Sequence, residues 1–521
     1  MMRPNSPPKG QIRDHFEQPV GSIRQVRDPE QHYHTRLSVR PPRAPIIPAP
    51  GPAKVQDARG TAIAIRLSQT MNSLLTLPPG GKDSMLVADV IQVPIAPLSP
   101  IAKPSPMAGP PISGHCRFCG TTFRHKVVDL GMSPLCESFL AESQLNAMEP
   151  FYPLTVWVCE RCFLVQLEEY VGGEEIFTDY AYFSSFSDSW LGHCRRYVDQ
   201  MIEQLGLTSN SEVIEIASND GYLLQFFVKR GIPALGIEPA ANVARVAREK
   251  GVETIVRFFG RDTARELAAA GRKPDLILGN NVLAQVPDLN DFVGGLKLLL
   301  GQNGVVTIEF PHLLRTIDGN QFDQVYHEHF SYFSLYSVER IFAAHGLPIF
   351  DVEEMASHGG SIRIYAAHDD DSSRNATERL LALRAREAEA GVDTLAYYAD
   401  FESRVRETKR KLLQFLIEAK RDGKRVVGYG APGKGNTLLN YCGIRTDLLD
   451  FTVDRSPHKH GKYLPGTHIP IFPPEKLWET RPDYVLILPW NLKTEIMNQL
   501  AGIRDWGGRF VVPIPEVTVH S

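Results

Sequence analysis

Apolar and polar positions fall into alternating strand-like and helix-like blocks over most of the chain, the pattern of a layered α/β protein. Residues 213–216 form a short apolar run holding one carboxylate, as a buried parallel strand does. Ser218-Asn219-Asp220-Gly221 is a turn cluster, and residues 222–228 then space their apolar side chains as a helix does. Residues 233–237 predict a second strand, which ends at Glu238. Three further strands are predicted over 252–256, 275–279 and 304–310, with helical segments such as 288–300 between them. The result is a doubly wound parallel sheet, which binds ligands at the carboxyl ends of its strands. Those ends carry Ser218 to Gly221, Glu238, Phe259, Asn280 and Glu309.

Strand, tight turn, helix, strand and terminal carboxylate make a half-site for a nucleoside, with the carboxylate accepting both ribose hydroxyls. The turn holds one glycine rather than three, so a turn that serves packing alone stays open on residues alone.

Farther on, residues 374–421 show helical periodicity interrupted near Gly391 and predict a connector. A strand from 425 then runs into Gly428, Gly430 and Gly433, spaced as G-x-G-x-x-G, and the next strand, 450–453, ends at Asp454. A later strand over 484–488 ends at Pro489-Trp490-Asn491. Exposed amides ahead of a helix suit a pyrophosphate, which a dinucleotide and a sugar nucleotide both carry. A Rossmann-like unit kept for packing is the bland alternative.

Composition changes the picture at one end. Twenty of the 39 prolines precede Ser113, with few aromatics between them, so residues 1–110 are expected to be a disordered extension. The most apolar early stretch, 85–98, is interrupted by Asp89, Pro94 and Pro97 and is too short for a membrane span. A cytoplasmic protein with no membrane partner is expected. A net charge of −4 gives no reason to expect nucleic acid.

Two C-x-x-C pairs, Cys116/Cys119 and Cys159/Cys162, have the spacing of a four-thiolate zinc site. The 39 residues between them call for a small strand-rich insertion. Structural zinc is favoured over disulfides in a long chain with seven cysteines and no secretion signal, and four thiolates leave no open position for catalysis. Cys136, Cys194 and Cys442 read as buried small hydrophobes. Residues 176–190 mix aromatics with hydroxyls, which suits a pocket wall or a core-edge helix. Tyr326-His327-Glu328-His329 gathers a base, an orienting carboxylate and a hydrogen-bond donor; surface histidines on a loop are the plain alternative.

Taken in order, the knuckle pair, Glu-Ile-Ala-Ser-Asn-Asp-Gly, Asn-Asn-Val-Leu-Ala, Tyr-His-Glu-His, His-Gly-Gly-Ser and Gly-Tyr-Gly-Ala-Pro-Gly-Lys-Gly resemble the S-adenosylmethionine-dependent sugar C-methyltransferases. That family methylates nucleotide-linked 4-keto-deoxysugars at the carbon next to the ketone. The resemblance covers about residues 116–515 and implies a class I methyltransferase sheet, a zinc-binding N-terminal domain and a C-terminal Rossmann-like domain holding the sugar nucleotide. The expected divisions are 1–110, 111–185 (zinc), 186–370 (cofactor), 371–422 (connector) and 423–521 (sugar nucleotide).

The resemblance places the cofactor site on Glu215, Ala217, Ser218, Asn219, Gly221, Glu238 and Asn280. It places catalysis on Tyr180, Tyr326, Glu328 and His329, the last as general base. Gly430, Gly433, Lys434 and His358 become candidates for the substrate. Gln285 stands where a titratable histidine is expected, and Ala217 where glycine is commoner. Two other readings follow from the residues: an NAD-dependent sugar-nucleotide oxidoreductase using the glycine loop, and a non-catalytic sugar-nucleotide-binding homologue.

Overall fold

The computed structural model describes residues 114–177 and 183–521. The expected extension and Tyr180 lie outside them.

The N-terminal unit is built on strands β1 (His125–Ser133), β2 (Tyr152–Val158) and β3 (Val165–Leu167), the strand-rich insertion that the cysteine spacing required. Its fourth strand comes from far along the chain: Ser331–Tyr332 pairs antiparallel with β3, matching Val165 to Tyr332 and Gln166 to Ser331. A one-turn helix α1 (Gly173–Phe177) and a long helix α2 (Asp188–Leu205) lead into the central domain. Helix α2 begins where the Ser187 hydroxyl accepts the Trp190 N–H, and ends at Gly206, which takes φ +63°.

The central sheet contains β4 (Val213–Ile216), β5 (Ala234–Ile237), β6 (Glu253–Ile255), β7 (Leu276–Asn280) and β8 (Val305–Pro311), all parallel. All four side chains of β4 are buried, its one carboxylate, Glu215, included. With the Ser331–Tyr332 strand as β9, two more follow: β10 (Ile349–Met355) and β11 (Ser361–Ala366). The order is β10-β11-β8-β7-β4-β5-β6, with β11 antiparallel to both neighbours. The purely parallel sheet read from the strand pattern is thus extended by a reversed strand, giving the seven-stranded class I methyltransferase sheet.

The C-terminal unit has its own sheet, formed by β12 (Val426–Tyr429), β13 (Thr452–Val453), β14 (Ile471–Phe472), β15 (Tyr484–Ile487), β16 (Arg509–Val512) and β17 (Thr518–His520). The order β14-β13-β12-β15-β16-β17 is Rossmann-like, with an antiparallel edge strand. Helices over Glu378–Ala390 and Phe401–Arg421 form the connector, and the first stops at Gly391, φ +80°. The N-terminal unit is a wedge: its strands share a core with the C-terminal unit, while its cysteine knuckles pack into the core of the central domain.

Candidate functional site

One cavity of about 670 Å³ lies where the three units meet. Its central-domain wall is the turn after β4. There Ala217, Asn219 and Gly221 all adopt left-handed backbone, at φ +56°, +48° and +73°. This conformation points the Asn219 N–H at Glu238, whose Oε2 accepts it at 2.9 Å while Oε1 accepts the Ala240 N–H at 2.9 Å. Each carboxylate oxygen keeps capacity for a second donor. Burial pushes the Glu238 carboxyl up to about 7.

Ala217, Asn219, Glu238 and Asn280 line the cavity; Glu215, Ser218 and Gly221 do not. Glu215 is fully buried within the sheet, and a Cβ on Gly221 would press on Val252 and Ala247. At the end of β7, Asn280 and Asn281 line this cavity, and the buried Asn280 Nδ2 and Asn281 Oδ1 have no protein partner. A carboxylate with spare acceptor capacity beside an unmet amide donor and an unmet acceptor fits a nucleoside with amino and hydroxyl groups. Glu309, at the next strand end, is not available: His193 Nε2 (2.9 Å), Arg363 (2.6 Å) and Ser357 (2.8 Å) hold it. Burial raises its pKa, but these partners overcome that and bring it to about 2.

Across the cavity lies the Tyr326–His329 stretch. Its two histidines diverge. His327 turns away to the Pro153 carbonyl (3.1 Å) and is part of the scaffold. His329 Nδ1 donates to the Gln324 carbonyl at 3.0 Å, so its Nε2 carries the lone pair, and the Tyr326 hydroxyl donates to it at 2.8 Å. Burial lowers His329 to about 3 and keeps the Tyr326 phenol well above its ordinary value. The tautomer is thus fixed by a backbone carbonyl, whereas Glu328, expected to orient the ring, accepts from the Cys136 thiol at 3.3 Å. His358 also lines the cavity, in left-handed backbone at φ +54°, with Nδ1 unpartnered and burial holding it near 4. Trp190, from the aromatic stretch, stacks on His193 (5.0 Å between rings) and meets His358 edge-on (5.4 Å); the pocket-wall reading holds for it.

Gly430, Gly433 and Lys434 form the third wall. The glycine loop differs from its dinucleotide reading. The Ala431 N–H donates to Asp454 (2.7 Å), and Lys459 joins the Ala431 carbonyl (2.8 Å) to Glu137 (3.4 Å). A Cβ on Gly430 would lie 2.6 Å from Pro489, and one on Gly433 2.8 Å from Cys136 Sγ. The glycines make room for protein, and Asp454, where a ribose acceptor would sit, lines the cavity with one oxygen accepting the Ala431 N–H and the other the Ser456 N–H. At Gly430 and Gly433 the spacing that suggested a dinucleotide loop is therefore accounted for by Pro489 and Cys136.

The four knuckle sulfurs lie within 4.8 Å of one another, with Cys116–Cys162 and Cys119–Cys159 at 3.5 Å. Zinc–sulfur bonds of about 2.3 Å at tetrahedral angles need sulfurs about 3.8 Å apart, so one zinc ion fits. Gly120 and Phe163, each just after a knuckle's second cysteine, take φ +73° and +55° and close matching turns. Gln166 donates to Cys116 Sγ at 3.2 Å, and the next residue, Leu167, donates its N–H to the Phe330 carbonyl at 2.9 Å. The metal site is therefore tied by backbone to the catalytic candidates. Sequence reasoning missed this link, the cavity positions of Cys136 and Glu137, and the Gln324 carbonyl. Cys136, Cys194 and Cys442 are buried as expected.

Three family profiles match consecutive stretches: "Putative zinc binding domain" over 116–177, "Methyltransferase domain" over 190–352 and "C-methyltransferase C-terminal domain" over 356–515. The chain is 38% identical over 408 residues to C-methyltransferase NovU of Streptomyces niveus, covering 78% of this chain and 96% of that protein. Ubiquinone biosynthesis O-methyltransferase of Azorhizobium caulinodans is 28% identical over 97 residues, covering 18% and 38%. The solved PH0226 protein from Pyrococcus horikoshii OT3 aligns at 15% identity and TM-score 0.30, covering 37% of this chain and 97% of that one.

Proposed function

The chain belongs to the S-adenosylmethionine-dependent sugar C-methyltransferase family, and from that premise we propose that it methylates a nucleotide-linked 4-keto-deoxysugar at a carbon beside the ketone. S-adenosylmethionine is its cofactor and zinc its structural metal. Among the described residues, no helix is long and apolar enough to cross a membrane. The observation that carries the substrate reading is the single cavity that joins Glu238 and Asn280 to Tyr326, His329, His358 and Lys434.

When bound, S-adenosylmethionine supplies an electrophilic sulfonium methyl group. In the proposed site Glu238 accepts from the ribose hydroxyls, and Asn280 and Asn281 meet the remaining polar edges. His329 takes the proton from the carbon beside the ketone through Nε2, the nitrogen left basic by its Nδ1 bond to Gln324. Tyr326 guards that lone pair in the free enzyme and transfers its hydrogen bond to the substrate's oxygen as the sugar enters. Glu328 and Gln285 contact the sugar's hydroxyls, because glutamine can bond there without titrating. A buried imidazole at about 3 is roughly 5 kcal/mol weaker as a proton acceptor than one at 6.5, so the chemistry needs strong enolate stabilisation as well.

Incubation with S-adenosylmethionine labelled in its methyl group and a panel of nucleotide-linked 4-keto-deoxysugars tests the reading. Label in the sugar supports it. Transfer only to sugars lacking the ketone, or ligand binding with no turnover across the panel, contradicts it.

A further inference from the structure

Four cationic side chains line the cavity among the described residues: Arg257, Lys434, Arg455 and Lys459. Three of them face carboxylates. Arg257 pairs with Glu266, Arg455 lies 3.7 Å from Asp188, and Lys459 lies 3.4 Å from Glu137. Lys434 is different. Its Nζ donates to the amide oxygen of Asn491 at 2.9 Å and lies 5.1 Å from the centre of the Trp490 ring, with no ion pair. An ammonium has three hydrogens, and these two contacts leave one to spare.

The surroundings of Lys434 lead to the proposed base. Trp490 donates its indole N–H to Asp323 at 2.6 Å, and the next residue, Gln324, holds His329 by its carbonyl and donates its side chain to the His358 carbonyl at 3.1 Å. Trp490 also fills the space beside Gly359, where a Cβ would lie 2.5 Å from the ring. Lys434, His329 and His358 thus share one corner of the cavity. Burial pulls the Lys434 ammonium below the ordinary lysine value against the opposing charge of Asp323, and the ammonium adds to the burial that depresses both histidines. A cation beside a base hinders proton transfer unless negative charge develops between them. Enolate formation creates that charge.

We infer that Lys434 is a catalytic electrophile: its ammonium binds the substrate's carbonyl oxygen and stabilises the enolate formed when His329 removes the neighbouring proton. The C–H bond breaks, its proton goes to His329 Nε2, and the electron pair moves through the new C=C bond onto the oxygen held by Lys434. With S-adenosylmethionine bound, the oxygen's pair would re-form the C=O bond as the carbon attacks the sulfonium methyl group: the C–CH₃ bond forms, the S–CH₃ bond breaks, and its electron pair stays on sulfur in the departing S-adenosylhomocysteine. The role rests on the 4-keto-sugar reading and deepens it. It also separates Lys434 from the diphosphate, a solvated dianion better suited to the half-exposed Arg455.

Two substitutions test this. Lys434→Met keeps the unbranched stem up to the ammonium nitrogen and removes the charge. Asn491→Asp keeps every heavy atom in place, strengthens the bond to Lys434 and neutralises it with an internal carboxylate. Wild type is first given dTDP, UDP, GDP and CDP forms of a 4-keto-6-deoxyhexose, and the best of these becomes the substrate. Both variants should lose about 10²–10³-fold in kcat, while Kd for the matching nucleoside diphosphate and for S-adenosylmethionine changes by less than about twofold. Deuterium exchange at the carbon beside the ketone should slow in parallel. A merely structural role predicts normal kcat in Asn491→Asp, because that change preserves packing. Unchanged kcat in Asn491→Asp, or a loss that appears in nucleoside diphosphate affinity instead, overturns the assignment. No wild-type turnover across the panel overturns the 4-keto-sugar reading itself.

Discussion

Replacing Glu238 by Gln tests the cofactor half of the site in a way the structure makes quantitative. The carboxylate is 4% exposed and holds two backbone N–H groups at 2.9 Å, one on each oxygen. Glutamine has the same shape but turns one oxygen into an NH₂ group, which must face either the Asn219 or the Ala240 N–H, donor against donor. One charge-assisted acceptor for the ribose is lost, about 2 kcal/mol, which corresponds to roughly 30-fold in affinity for S-adenosylmethionine. The wild-type protein provides an independent check through pH. Burial raises the Glu238 carboxyl to about 7, so the ionised acceptor form prevails above that value and is lost below it. Affinity should therefore fall as pH falls, approaching tenfold per unit, or about 30-fold at about pH 5.5. Titration calorimetry from about pH 5.5 to 8.5 should show this slope in wild type and a flat, weak profile in Glu238→Gln. A flat wild-type profile together with affinity within about twofold in the variant would refute the ribose assignment.

Other consequences are simpler to read. Purified protein should contain about one zinc per chain, and chelation should lower both the melting temperature and turnover, since Gln166 and Leu167 link the thiolates to Phe330; metal-free protein with normal melting would sink the site. Ala217→Gly should stabilise the protein by roughly 1 kcal/mol in urea melts, because Ala217 sits at φ +56°; a destabilised variant would mean that its methyl group packs usefully. His329→Asn should lower kcat by about 10²–10⁴-fold with both ligands still bound, and full activity there would move the base elsewhere.

Features of this protein written in short stretches of sequence were legible in advance. The cysteine pairs declare a zinc site because ligand spacing is local, and Glu238 stands out because a carboxylate ends an apolar strand. Long-range packing decided the rest. The G-x-G-x-x-G spacing looks like a phosphate cradle, yet Gly433 is small because Cys136 approaches it from the N-terminal unit, some three hundred residues away in sequence. Nothing local distinguishes His327 from His329, since their roles follow from the Pro153 and Gln324 carbonyls that each one meets. The reversed strand β11 escaped notice because its fully buried run, Ser361–Ala366, mixes Ser and Arg with apolar residues. Its Arg363 is tolerated there by Glu309 and Glu353.

The most direct test of the central claim is the position of the new bond. Product made from S-adenosylmethionine carrying a ¹³C methyl group and a nucleotide-linked 4-keto-deoxysugar can be read by carbon NMR. The account predicts a labelled methyl group joined to the ring carbon next to the ketone, with the proton of that carbon gone. Label found on an oxygen or a nitrogen, or on a carbon remote from the ketone, would contradict it.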